Sequence, residues 1–191
     1  MHFNDPIDLG LLQRIVARDT AALADLYDRH SRLLFGLILR ILRDRAEAEE
    51  ILQEVFIRVW TRAELYDPQR GSPTSWLVRV GRNCAIDRLR ARRTRDAAGM
   101  PSFEEPTADP ASSVADIHTP EQLVVDAETR EKVMDALIGL PEEQRRLIEA
   151  AFFEGYTHTE LAKRFELPLG TVKSRIRAGI LAMRERLEHA V

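Results

Sequence analysis

THTELAKRFELPLGTVKSRIRAGILAMRERL, residues 157–187, is the stretch that decides how this chain is read. Thr157 and, three residues on, Glu160 have the spacing of a capping box, in which a hydroxyl and a carboxylate satisfy the open amides of a helix start. A short helix is therefore expected over 158–165. Pro168 interrupts the chain, and a second helix is expected over 169–188. Short helix, tight turn, helix is the helix-turn-helix pattern. On a helical wheel, Leu169, Val172, Ile176, Gly179, Ile180, Met183 and Leu187 share one face of the second helix, the expected core face. The opposite face shows Thr171, Ser174 and Ala178, flanked by Lys173, Arg177 and Arg184 on one side and by Arg175 and Arg186 on the other. An ordinary bundle helix can carry a solvated basic face. The cap, the turn and cations on both flanks point instead to a helix lying in the major groove between two phosphate strands. His158, a single histidine without companions, reads as a surface residue rather than a ligand or a base.

Outward from this stretch, apolar residues recur at three- and four-residue spacing almost everywhere, and no window alternates in the manner of a strand. The fold class is all-α, with helices expected at 7–18, 20–43, 45–64, 74–94, 120–139 and 142–153 besides the two above. Residues 96–118 hold Gly99, Pro101, Pro106, Pro110, Ser112 and Ser113 and almost no large apolar side chain, so they read as a flexible linker. Two small helical domains result, 1–95 and 119–191.

Charge is segregated in the same way. The net charge is −3, yet residues 1–95 carry seventeen Arg against thirteen acids, 96–118 carry five acids and no Lys or Arg, and 119–191 carry eleven bases against thirteen acids. Two domains with basic patches, joined by an acidic tether, suit a polyanionic partner.

In the first domain, the helix 45–64 has an almost complete apolar stripe of Ala48, Ile51, Leu52, Val55, Phe56, Val59 and Ala63. Its outward side carries Glu50, Gln53, Glu54, Ile57 and Thr61. An isoleucine among carboxylates and an amide on the solvent side favours a protein-binding surface. The helix 74–94 carries Arg79, Arg82, Asn83, Arg90 and Arg93 within a third of its circumference, with Ile86 among them, a stripe suited to neutralising phosphates. Before it, the segment 63–76 holds Tyr66, Pro68, Gly71, Pro73 and Trp76, an irregular loop with aromatics at both ends. Such a loop beside a basic helix can pocket an unpaired base, although Trp76 taken singly reads better as a core aromatic.

Hydrophobic content of 45% is ample for packed cores. The longest strongly apolar run, Leu33 to Leu39, is too short to span a bilayer, and no secretory leader opens the chain, so the expected location is the cytoplasm. The lone Cys84 reads as a small buried apolar residue in a reducing compartment. Neither a Ser/His/Asp grouping, nor paired carboxylates at a metal spacing, nor a glycine-rich phosphate loop stands out, and no enzyme, metal, cofactor or small-molecule substrate is expected.

Three runs, AEEILQEVFIRVW (48–60), SWLVRVGRNCAIDRLRARR (75–93) and LPEEQRRLIEAAFFEGYTHTELAKRFELPLGTVKSRIRAGILAMRERL (140–187), together resemble the extracytoplasmic-function (ECF) sigma factors of bacterial RNA polymerase along nearly the whole chain. The helix-turn-helix alone is less specific, since response regulators of the nitrate-regulator type share it. The resemblance implies that the first domain binds core polymerase and the minus-ten element, and that the second binds the flap region and the minus-thirty-five element. Glu50, Gln53 and Glu54 match the surface that docks on the clamp helices of the largest subunit, which supplies a partner for Ile57. Tyr66, Trp76, Arg79, Arg82, Asn83 and Arg90 fall in the segments that read and melt the minus-ten element, the loop 65–75 matching the one that captures a flipped base. Thr171, Lys173, Ser174, Arg175 and Arg177 fall in the upstream-element helix. The acidic tether resembles the linker that threads the RNA exit path, and the absence of the housekeeping sigma factors' extra domains marks the small family. Control by an anti-sigma factor is implied as well. The competing reading is a stand-alone helix-turn-helix regulator whose first domain senses a ligand or dimerises.

Overall fold

The computed structural model describes residues 5–98 and 127–189, which divide into two compact units, one on either side of residues 111 and 112. Every regular element among the described residues is helical. The first unit holds α1 (Pro6–Val16), α2 (Thr20–Leu42), α3 (Arg45–Arg62), 3-10 turns at Ala63–Leu65 and Pro68–Arg70, and α4 (Pro73–Ala98). The second holds α5 (Ala127–Ile138), α6 (Glu142–Phe152), α7 (His158–Arg164) and α8 (Leu169–His189).

The starts of the first unit's helices are written in side-chain oxygens. Asp5, Asp19 and Asp44 each precede a helix and each accepts a backbone amide of its first turn, at 2.9 Å from Ile7, Ala21 and Glu47 respectively. Pro6 sits in the first turn of α1, where a missing N–H is harmless. α2 ends without glycine: Arg43 takes φ 57 and its amide closes on the Leu39 carbonyl at 2.8 Å. The central α2 packs against α1, α3 and α4, burying Leu26, Leu34, Ile38, Ile51, Val55, Val59 and Leu77. α4 runs to Ala98, so the first three residues of the expected linker are helical. The remainder of that linker, residue 119 and residues 120–126 of the next expected helix lie outside the described residues.

One buried polar cluster ties α1 to α2. Asp8, 1% exposed, accepts from His30 Nε2 at 2.7 Å and from Arg29 Nε at 2.7 Å, and Arg29 also pairs with Asp5. Burial alone would raise the Asp8 carboxyl. The hydrogen bonds and charges of His30 and Arg29 outweigh it and hold the carboxyl below its ordinary value. An acid depressed in the folded state contributes stability above its unfolded pKa, about 4, and loses it as pH falls through the lower folded value. Asp8→Ala should cost about 3 kcal/mol in chemical unfolding at neutral pH, because it strands His30 and part of Arg29. The difference from the parent protein should shrink as the pH drops below about 4.

In the second unit, Leu137, Leu140, Leu147, Ile148, Leu161, Val172, Ile176 and Met183 form the core. α8 lies so close to α6 that a Cβ on Gly179 would sit 2.6 Å from Ile148 Cδ1 and 3.3 Å from Gln144 Cβ. A side chain there would have to push Ile148 and Gln144 aside, so this glycine serves the close crossing of two helices and not a turn. Leu169 departs from the expected core face: it is the first residue of α8 and is 40% exposed.

Candidate nucleic-acid and partner interfaces

The helix-turn-helix is built as its cap spacing requires. The Thr157 amide donates to Glu160 Oε2 at 2.6 Å and the Glu160 amide to Thr157 Oγ1 at 3.2 Å, so α7 starts on a complete capping box. After α7, Glu166 takes φ 52, the Leu167 amide returns to the Ala162 carbonyl at 3.0 Å, and the Val172 amide bonds the Pro168 carbonyl at 3.1 Å. Leu161, Val172 and Ile176 are buried where α7 and α8 meet. On the outer side of α8, Lys173, Ser174, Arg177 and Ala178 are exposed, and Thr171 and Arg175 are half-buried.

Two of these groups are engaged internally. Ser174 Oγ donates to the Thr171 carbonyl at 3.0 Å, and Arg175 Nη2 pairs with Glu143 Oε2 at 2.8 Å. His158 is not the surface residue expected. It is half-buried at the first position of α7, and its Nε2 is shielded from solvent with no hydrogen-bond partner. Burial, and secondarily the charge of Lys173, lowers its pKa.

In the first unit, the outer side of α3 has the expected exposure pattern. Ile57 is 62% exposed, with Glu50, Gln53 and Thr61 exposed around it. Glu54 is half-buried and pairs with Arg58 at 2.5 Å, one turn along the same helix. Glu50 accepts from Arg88 Nη1 at 3.0 Å, and Glu47 from Arg92 Nη1 at 3.1 Å, so two α4 arginines clamp α4 to α3. Those pairs were not anticipated. Their signal is present in the sequence as Glu47 and Glu50 on one helix facing Arg88 and Arg92 on another, but choosing which rows face each other needs the packing.

The α4 stripe is more buried than the sequence suggested. Arg82 is 6% exposed and Ile86 is buried, while Arg79, Asn83, Arg90 and Arg93 are half-buried. α4 is covered from three sides, by α1, α2 and α3, and a wheel drawn on one helix does not show how wide that cover is. Asp87, half-buried beside this row, has its carboxyl raised chiefly by burial, against the charges of Arg58, Arg90 and Arg82. Cys84 lies next to it, and burial pushes its thiol up to about 12, which leaves it an inert core residue.

The loop between α3 and α4 is braced from within. The Tyr66 hydroxyl donates to the Gly71 carbonyl at 3.0 Å, and its ring meets Trp76 edge-on at 5.8 Å between centroids. Trp76 is 7% exposed, so its ring supports the loop from beneath and is not open for a base to stack upon. Tyr66 is half-buried above it. Ser72 Oγ accepts from the Ser75 amide at 3.1 Å at the start of α4, and Gly71 at φ 137 makes the turn into it.

Among the described residues no helix is long and apolar enough to cross a membrane, and no cluster of three or more His, Cys, Asp or Glu could hold a metal ion.

The family model for sigma-70 region 2 matches residues 26–95, and that for sigma-70 region 4 matches residues 136–185. The chain is 33% identical over 179 residues to the ECF RNA polymerase sigma factor SigK of Mycobacterium tuberculosis (strain H37Rv), covering 94% of this chain and 92% of the relative. It is 34% identical over 181 residues to SigK of Mycobacterium sp. (strain KMS), covering 93% and 89%. Among solved structures it is similar to Rhodobacter sphaeroides SigE in complex with the anti-sigma ChrR, at 32% identity and a TM-score of 0.45, covering 93% of this chain and 96% of that one.

Proposed function

Because the chain belongs to the ECF RNA polymerase sigma factors, we propose that it joins core RNA polymerase through the outer side of α3, opens the minus-ten element with α4 and the loop before it, and reads the minus-thirty-five element with α8. The observation that carries this reading is Ile57, 62% exposed among the polar side chains of Glu50 and Gln53 on a helix whose other side is fully packed. A face of that kind calls for a protein partner. The chain acts as a specificity subunit and not as an enzyme, in the cytoplasm where core polymerase works. The reading includes an anti-sigma factor as its controlling partner. The half-buried Arg79, Asn83 and Arg90 are the groups assigned to the minus-ten strands, with Tyr66 as the aromatic nearest the loop surface and Trp76 as its support. The test is reconstituted transcription from genomic templates with core polymerase, mapping start sites. Promoter-specific products and footprints should appear only when both proteins are present. A specific footprint by the chain alone would favour a stand-alone regulator.

Within α8 the roles of two arginines should separate. Arg177 is exposed, and Arg177→Ala should relax recognition at particular upstream positions by about 1–3 kcal/mol, as for loss of a bidentate base contact. Arg175, held by Glu143, is assigned to phosphate, and Arg175→Ala should weaken all sequences alike. Binding profiles of holoenzyme on a randomised upstream element give the answer. Identical sequence profiles for both variants and the parent would remove the base-reading role from Arg177.

A further inference from the structure

The last carbonyls of a helix have no partner in their own ladder. At the end of α3 the chain tightens into the 3-10 turn Ala63–Leu65, and the carbonyl of Trp60 finds its donor 42 residues away in sequence: Arg18 Nη1, at 2.8 Å. The same guanidinium lies over the Trp60 ring, 5.4 Å from its centroid. A cation at this end of a helix is also favoured by the helix dipole. Arg18 occupies the turn between α1 and α2 at φ 65, a left-handed conformation that costs a non-glycine residue about 1 kcal/mol or more. Its own amide is fixed to the Ile15 carbonyl at 2.9 Å, and α1 packs on the Ala63–Leu65 turn. The loop that follows is therefore held at both ends, by Arg18 where it leaves α3 and by the Tyr66, Gly71 and Trp76 contacts where it enters α4.

We infer that Arg18 is a positioning residue for promoter opening: by capping α3 from the α1–α2 turn, it fixes the start of the loop that receives an extruded base. This rests on the base-capture reading of that loop. An exposed arginine on a DNA-binding unit has another conceivable use, direct contact with a phosphate, and the two leave different signatures. A lost phosphate contact reduces the salt dependence of binding by about one unit of slope, on open and closed templates alike. A lost loop anchor leaves that slope unchanged and matters only where the duplex must still be opened. Arg18→Lys distinguishes them further, since lysine keeps the charge but lacks the planar stack and the fixed fork of donors.

The experiment uses holoenzymes carrying the parent chain, Arg18→Ala, Arg18→Lys, and a chain with residues 66–70 replaced by Gly/Ser. Open-complex formation is followed on a matched duplex promoter and on one with a pre-formed bubble at the minus-ten element, at several salt concentrations, alongside thermal unfolding of each chain. Arg18→Ala should slow opening of the matched duplex about tenfold, the effect of one charge-assisted hydrogen bond, with parental rates on the bubble and a parental salt slope. Arg18→Lys should show the same pattern at about threefold. Should Arg18→Ala unfold at the assay temperature, the lysine variant alone decides. Equal defects on both templates, a slope reduced by about one, or a lysine variant indistinguishable from the parent would overturn the assignment. If the loop-replaced chain itself treats both templates alike, base capture fails and the role of Arg18 falls with it. If only the arginine variants do so, base capture stands and Arg18 is excluded from it.

Discussion

Lysines at Gln53 and Ile57 should abolish assembly with core polymerase and leave the first unit folded. Both side chains are exposed on α3 and neither takes part in the packing beneath, so replacing them removes the apolar anchor and places two cations on the proposed docking face without disturbing the core. Like-charge juxtaposition and a lost central anchor each cost several kcal/mol in a desolvated interface, so affinity should fall by a hundredfold or more, on the order of 3 kcal/mol. Glu54 is a poorer place for a reversal. It is half-buried and paired with Arg58 at 2.5 Å, in the group that includes Asp87 and Cys84, and a lysine there would set two cations together inside the unit. The check is co-purification with core polymerase, together with the circular dichroism and unfolding midpoint of the free chain. A variant that remains folded and still co-purifies at parental yield places the dock elsewhere.

The helices were legible because their signals are local. Asp19 and Asp44 stand immediately before α2 and α3, the Thr157 and Glu160 pair starts α7, and apolar spacing runs through each helix to within a few residues of its observed end. What the sequence did not display are contacts whose two halves lie far apart along the chain. Asp8 has no neighbour in sequence that explains its burial. Its partners Arg29 and His30 are more than twenty residues on and become partners only when α1 folds across α2. The pairing of Arg88 with Glu50 and of Arg92 with Glu47 spans 38 and 45 residues. A helical wheel gives the phase of a helix but not the breadth of its cover, which is why Arg82 and Ile86, placed on an open stripe, are buried, and Leu169, placed in the core, is not. On α3 the cover is narrower than on α4, so the outward phase read from the sequence does hold there: Ile57, expected outside among polar residues, is exposed.

Replacing residues 66–70 with Gly/Ser, while keeping Gly71, Ser72 and Pro73, should cripple transcription from a closed promoter and be partly rescued by a template already open at the minus-ten element. The retained residues matter, because Gly71 supplies the positive-φ turn and Ser72 anchors the start of α4, so the graft leaves the helix intact. It removes Tyr66, and with it both the brace to the Gly71 carbonyl and the edge contact on Trp76. Extruding a base costs a few kcal/mol, and only a shaped, preorganised loop returns that energy. A floppy one should lose on the order of 10–100-fold in opening rate. On a pre-formed bubble the unpairing is already done, so the loop has less to contribute. Loss of Asn83 should behave differently. It is half-buried on α4 and is assigned to a contact made with open and closed promoter alike, so the bubble should rescue it less. Permanganate reactivity of unpaired thymines on the two templates reports the opening directly. Equal defects of the loop graft on both templates would mean that the loop plays no part in strand separation, and would leave the first unit as a polymerase anchor with a non-specific grip on phosphate.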